Sequence, residues 1–269
     1  MTDNNAIEPD PQYLHAKAWA EEYELVDRQF SSLGLIAMQE LQLVHGETVL
    51  DVGCGTGQTL LQLAERVGGN GHVLGVDIAG RLLEVAARRT AHLGHVTLIK
   101  SDAQILDLPS HSVDAVFSRF GVMSFNDPVA AFSNFRRILK PDGRLAFCCW
   151  QALHENELDH FPLEAAGFPK AADERPFSLS DPQYVQTVLA TAGFDAVEVR
   201  PHKELVTSGD VEAMTRVLLK VGPLGKIVRE NPAIQSTVEP KLRKALESLG
   251  DQVSTRLAAA IWIVTARPN

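Results

Sequence analysis

Asp51, Gly53, Gly55 and Gly57 occupy alternate positions within residues 49–59, VLDVGCGTGQT. The residues ending at Asp51 are strand-like, and QTLLQLAERV, which follows the loop, has a helical pattern. Glycine is needed where backbone turns sharply and where a ligand must come close, because a Cβ would obstruct both. The combination points to a nucleoside cofactor on a first strand–loop–helix unit. A dinucleotide fingerprint would place its third glycine three positions after its second. Counted from Gly53, that position holds Gln58, and the pattern is D-x-G-x-G-x-G instead.

Two further acids follow at strand ends. Asp77 closes HVLGVD, twenty positions after Gly57. It can accept hydrogen bonds from ribose hydroxyls, or it can cap the helix that follows. Asp102, in Ser101-Asp102-Ala103, follows a third strand and can either meet a base or start a turn. A fourth strand runs into Ser118, Arg119 and Phe120. Ligands of open α/β sheets bind beyond the carboxyl ends of the strands, so these residues flank the crevice. Arg119 can pair with a ligand carboxylate or form a structural ion pair.

The glycine pattern, its interval to Asp77, the Ser-Asp-Ala step and the stretch DAQILDLPSHSVDAV over residues 102–116 together resemble class I S-adenosylmethionine-dependent methyltransferases. Within that class the chain is most similar to the ubiquinone/menaquinone-biosynthesis-type group acting on small molecules. The resemblance covers residues 49–150. It implies that Asp51, Gly53, Gly55, Thr56 and Gly57 lie under the methionine part of the cofactor, with Asp51 orienting its ammonium group. It implies Asp77 and Ile78 at the ribose, Asp102 and Ala103 at the adenine, and Ser118 near the methionine end. The cofactor implied is S-adenosyl-L-methionine, leaving as S-adenosyl-L-homocysteine. The fold implied is α/β and doubly wound. Its sheet is mostly parallel and seven-stranded, in order 3-2-1-4-5-7-6 with the last strand antiparallel, with helices on both faces and a helical cap. A long helical segment before the last strand departs from the family pattern, so the family's acceptors do not carry over.

The elements that must position these residues are legible as an alternation. Strands are expected at 48–52, 72–77, 96–100, 112–118, 144–150, 194–199 and 259–266. Helices are expected to 67 and over 80–93, 128–139 and 181–192. Such alternation implies parallel pairing with right-handed crossovers. Residues 1–12 read as loose and 16–43 as one helix. That helix packs on the core and serves as a lid, so deleting residues 1–34 is expected to abolish turnover and leave the sheet folded. The organisation is thus an N-terminal helical lid over 1–43 and a Rossmann-like domain over 44–269. The inserts are a loop-rich stretch at 151–180 and a mostly helical one at 204–256.

The chain has 269 residues, 45% hydrophobic and 22% charged, with a formal net charge of -9. That balance and the lack of a basic stripe argue against nucleic acid as a partner. Nucleic-acid amino-methyltransferases would also show Asn-Pro-Pro-Tyr or a relative where this chain has SRFG. Cys54, Cys148 and Cys149 give no disulfide framework and read as small hydrophobes. No signal core or membrane span is seen, so a cytoplasmic location is expected.

The partner expected is a small, apolar acceptor. Trp19, Tyr23 and Phe30 hint at it, although they equally suit core packing. If the acceptor must lose a proton, His154, Glu155, Asp159 and His160 are the candidates for a base; His154 and Arg119 are the catalytic candidates carried forward. No metal is expected, since these residues lack ligand spacing. The rival readings are a cofactor-binding protein without catalysis, acting through a partner, and an NAD-dependent dehydrogenase.

Overall fold

A computed structural model of the chain describes residues 10–170, 174–249 and 254–269. Seven strands form one sheet: β1 Thr48–Val52, β2 His72–Asp77, β3 Val96–Lys100, β4 Val113–Arg119, β5 Leu139–Trp150, β6 Phe194–Gly209 and β7 Thr255–Pro268. Their order is β3-β2-β1-β4-β5-β7-β6. The first five pair in parallel, and β7 runs antiparallel to both neighbours. Central strands such as VDAVFSR and LAFCCW are nearly continuous apolar runs because both of their faces are covered. Val49, Leu50, Phe117, Phe147 and Val264 have no exposed surface.

The helices are α1 Pro11–Glu21, α2 Tyr23–Gln39, α3 Gln58–Val67, α4 Gly80–Thr90, α5 Pro128–Ile138, α6 Glu157–Ala166, α7 Pro182–Thr191, α8 Val211–Leu218, α9 Gly222–Glu230 and α10 Gln235–Glu247. Several begin as their sequences dictate. Asp127 and Asp181 cap α5 and α7, accepting the amides of Ala130 and Gln183, with proline in the first turn.

The structure corrects the reading of the N-terminus. Pro11 and Gln12 already lie in α1, capped by Asp10, while residues 1–9 fall outside the described part. The expected single helix breaks at Glu22, whose backbone leaves the helical region. The second half is core: Val26, Phe30 and Leu33 of α2 are almost wholly buried against the sheet. Removal of residues 1–34 would therefore expose the core, contrary to the expectation that the sheet survives it.

Three other differences have physical causes. β5 starts at Leu139, which pairs with Val113; a bulge then brings Arg144 opposite Ala115. β6 and β7 are longer than their apolar stretches, pairing from Phe194–Pro268 to Gly209–Thr255. Residues 204–209 are thus strand. Apolar character does not follow burial here, since Leu205 is exposed while Val206 and the polar Ser208 are buried, and this hid the extension. Residues 157–166 form α6, masked in the sequence by its internal Pro162. At its start, Asn156 Oδ1 accepts the amide of Ala260 at 2.7 Å and Glu157 Oε2 that of Ala258 at 2.9 Å. These side chains take up the β7 ladder where β5 has ended. The three cysteines are free and buried, and burial pushes their thiols up, Cys148 to about 12. Among the described residues, no helix is long and apolar enough to cross a membrane.

Candidate functional site

The loop after β1 turns on left-handed backbone at Gly53, Gly55 and Gly57, with φ of +71°, +54° and +87°. Asp77, at the end of β2, binds this loop directly. Its Oδ2 accepts the amide of Gly55 at 2.9 Å, and its Oδ1 accepts that of Ala79 at 2.8 Å. The carboxylate stands between the loops after β1 and β2. Burial pushes its pKa up, opposed by the backbone amides that bond to it. Ile78 beside it is an exposed large apolar side chain at the same edge.

Asp51 lies beneath the glycine loop. Its Oδ2 accepts the hydroxyl of Thr59, while its Oδ1 is buried without a hydrogen-bond partner. Burial raises its pKa to about 7, with the Thr59 bond and Arg119 acting against that rise. A buried carboxylate oxygen without a donor calls for a cationic partner. The residues here therefore fit the ammonium group of a cofactor laid over the loop.

The loops after β1 and β4 meet edge to edge. A Cβ on Gly53 would stand 2.6 Å from the Cα of Gly121, and one on Gly121 would stand 2.4 Å from the Val52 carbonyl oxygen. Neither position tolerates a side chain without backbone movement. Ser118 clamps the junction: its hydroxyl donates to the Val52 carbonyl at 2.7 Å and accepts the Gly121 amide at 3.1 Å. Gly121 was not singled out from sequence, where a glycine one residue after Phe120 was the available signal. Asp102 accepts the backbone amide of Gln104 at 2.9 Å and its side-chain amide at 3.1 and 3.0 Å. It caps the turn that begins at the buried Ala103.

An ionic layer fixes α2 to the glycine loop. Arg89 pairs with Asp27 at 2.6 Å and donates to the Thr56 carbonyl at 3.0 Å. Arg119 donates to Gln58 and stands 3.9 Å from Asp27. Its guanidinium is thus engaged by the protein in the ion-pair arrangement. Tyr23 lies under the Arg89 guanidinium.

Aromatic rings gather at the carboxyl ends of β4 and β5. Phe120 stacks on Trp150 with centroids 4.1 Å apart, and Phe30 meets both edge-on at 5.5 and 5.7 Å. Trp19 stacks on Phe30 at 6.1 Å, and His15 lies 5.6 Å from Trp19. Phe120 has φ +65°, a conformation rarely adopted by a bulky residue. The contacts on both sides hold it there. Sequence singled out Trp19, Phe30 and Phe120. It did not single out His15 or Trp150, since proximity across distant elements leaves no local signal.

The residues after β5 diverge. The His154 side chain is 79% exposed and pairs with Glu155 at 3.4 Å. His160 Nδ1 lies 3.4 Å from Glu164 Oε1 without a hydrogen bond. Asp159 is buried, its Oδ2 has no hydrogen-bond partner, and burial raises its pKa to about 7. Among the described residues, no three His, Cys, Asp or Glu side chains gather as a metal site would need.

Residues 49–143, which carry the glycine loop, Asp77 and Asp102, match the model of a methyltransferase domain. The chain is a class I S-adenosylmethionine-dependent methyltransferase. Its cofactor is S-adenosyl-L-methionine. The methyltransferase is 28% identical over 181 residues to a demethylmenaquinone methyltransferase of Staphylococcus saprophyticus, covering 61% of this chain and 76% of that relative. It is 36% identical over 120 residues to an aklanonic acid methyltransferase of a Streptomyces species, covering 44% of this chain and 54% of the relative. A phosphoethanolamine N-methyltransferase of Haemonchus contortus, solved with S-adenosyl-L-methionine, superposes with a TM-score of 0.61 at 19% identity. That likeness covers 98% of the methyltransferase and 59% of the larger chain, and it speaks for the fold.

Proposed function

We propose that the methyltransferase moves a methyl group to an oxygen, nitrogen or carbon of a small, mainly apolar organic acceptor by in-line displacement. The observation that carries this reading is the cluster of Trp19, Phe30, Phe120 and Trp150 at the strand ends beside the glycine loop. Flat apolar molecules bind well against such faces. The names of the two relatives, a demethylmenaquinone and an aklanonic acid methyltransferase, favour acceptors of this kind.

The cofactor supplies an already activated methyl group. The chain's own residues orient the two reactants and exclude water, which can contribute roughly 7–11 kcal/mol. In this reading Asp51 takes the ammonium group, with Gly53, Gly55, Thr56 and Gly57 beneath the methionine. Asp77 and Ile78 take the ribose, and Asp102 with Ala103 takes the adenine in place of the Gln104 amide. Ser118 acts by holding the loops together, and Arg119 by holding Gln58. The N-terminal segment covers the site, with α1 as its outer part. A base is needed only for an acceptor that must lose a proton. Of the candidates after β5, Asp159 is buried with an unpartnered Oδ2 and a pKa raised to about 7 by burial, whereas His154 faces solvent.

The test is a turnover screen. The protein is incubated with S-adenosyl-L-methionine and a panel of quinols, phenols and aromatic acids, and S-adenosyl-L-homocysteine is quantified. Product formation on a planar acceptor, with a raised KM in Phe120→Ala, is expected. Cofactor binding without turnover on any acceptor would favour a catalytically silent binding protein.

A further inference from the structure

Asp27 joins α2 to the glycine loop and to the end of β4. Its Oδ2 pairs with Arg89 at 2.6 Å, and Arg89 donates to the Thr56 carbonyl at 3.0 Å. Its Oδ1 lies 3.9 Å from the Arg119 guanidinium, and Arg119 donates to the side-chain carbonyl of Gln58. Gln58 closes the circuit, its Nε2 donating to the Asp27 backbone carbonyl at 3.2 Å. Thr56 and Gln58 flank Gly57, which has φ +87°. Both sides of that left-handed turn are therefore tied to one residue of α2.

The same residue is linked to the aromatic rings. Phe30 follows Asp27 on α2 by three positions, close to one helical turn, and Phe120 follows Arg119 directly. The two rings meet at 5.5 Å. The stem of Arg119 lies against α2 at Gly34, where a Cβ would stand 2.7 Å from Arg119 Cδ. Stability does not call for this arrangement. Val26, Phe30 and Leu33 already bury α2 in the core, and a buried ion pair often adds nothing over apolar residues of the same volume. Asp27 is buried, and burial pushes its pKa up against the pull of Arg89 and Arg119. Its Oδ1 has no hydrogen-bond partner, while Arg119 donates to Gln58. What the layer supplies, at a cost in desolvation, is a fixed relation among the loop, α2 and Phe120.

We propose that Asp27 is a positioning residue that couples occupancy of the glycine loop to the placement of α2 and Phe120, so that the aromatic surface is set for the acceptor when the cofactor is bound. A ligand shifts another element only through contacts that differ with and without it. A cofactor laid over the loop restrains Thr56, Gly57 and Gln58, and the Asp27 layer passes that restraint to α2. A second polar link between α2 and α3, Gln62 Nε2 to Ser31 Oγ at 2.9 Å, does not involve Asp27. This inference rests on the reading of the aromatic cluster as the acceptor site. Its test needs no acceptor, so the two fail separately.

The experiment is hydrogen–deuterium exchange of the full chain, read segment by segment by mass spectrometry, with and without saturating S-adenosyl-L-homocysteine. In the wild-type protein the ligand should slow exchange at residues 53–60 and also at residues 23–33, the latter by at least about fivefold, the lower end of coupling between linked sites. Asp27→Asn should keep the protection of 53–60 and lose most of that at 23–33, and Asp27→Glu should retain part of it. If the asparagine variant does not fold, Arg89→Gln cuts the link to Thr56 while Arg119 still faces Asp27, and the same loss is expected. A merely structural Asp27 would raise exchange with and without ligand and leave the ligand-dependent difference at 23–33 in place, as would a signal carried by Gln62 or by apolar packing. That result would overturn the proposal, and so would a wild-type protein in which 53–60 responds and 23–33 does not.

Discussion

Asp51 and Asp77 do different work although both end strands at one sheet edge. Asp77 accepts one backbone amide on each carboxylate oxygen, and each oxygen keeps a lone pair for a further donor. Asp77→Ala should weaken S-adenosyl-L-homocysteine binding by about 1.5–3 kcal/mol, the range for hydrogen bonds to a charged group; calorimetry on the folded variant checks it. Asp51 keeps an unsatisfied oxygen and a pKa of about 7, against an ordinary value of 3.8. Between those values the fold holds a proton that the unfolded chain has lost. Its stability contribution therefore falls as pH rises through that window and levels off above about pH 7. Binding an ammonium group requires the ionised form. S-adenosyl-L-homocysteine affinity should then decline by up to about tenfold per pH unit below 7. Asp51→Asn should give a weaker and flatter profile, measured by titration from pH 5.5 to 8.5.

At the scale of elements, the break at Glu22 separates two roles. α1 contributes Trp19 to the aromatic cluster, with His15 beside it, and buries only Ala16 and Ala18. α2 buries Val26, Phe30 and Leu33 in the main core. Burial of three such side chains is worth roughly 5–9 kcal/mol, comparable to a whole domain's net stability. A chain lacking residues 1–21 should stay folded and bind S-adenosyl-L-homocysteine while losing turnover. A chain lacking residues 1–34 should fail to unfold cooperatively. Circular dichroism melts with a turnover assay separate the two, and retained activity in the shorter deletion would remove α1 from the acceptor site.

For the whole molecule, the crevice exists because three loops from distant parts of the chain converge at the carboxyl edge of one sheet. The loops after β1 and β4 touch through Gly53 and Gly121, and Asp77 ties the loop after β2 to the first. A ligand bridging them should stabilise the entire fold. At a hundredfold excess over Kd, S-adenosyl-L-homocysteine should add about 2.7 kcal/mol, seen as a rise in Tm. NAD, run in parallel, should give no shift. A shift with NAD alone would reverse the reading of the glycine loop.

The sheet alternation, the glycine loop and the acids at 51, 77 and 102 were legible along the chain. They depend on local rules: apolar period, left-handed glycines, and acids at strand ends. The long pairing of β6 with β7 was not legible, because half-exposed strand extensions lack apolar alternation. Nor was α6, whose Pro162 disguised a helix that its neighbours hold in place. Pairings across the chain were decided by tertiary structure alone. Arg119 meets Gln58 and Asp27, and Phe120 meets Trp150 and Phe30, through packing of segments up to 120 residues apart. The sequence by itself determined the glycine loop, since its left-handed turns are written in contiguous residues, and through its resemblance to class I methyltransferases it implied the cofactor. The aromatic cluster was decided by tertiary structure, since its rings come from α1, α2 and the carboxyl ends of β4 and β5, and only their packing brings those side chains together.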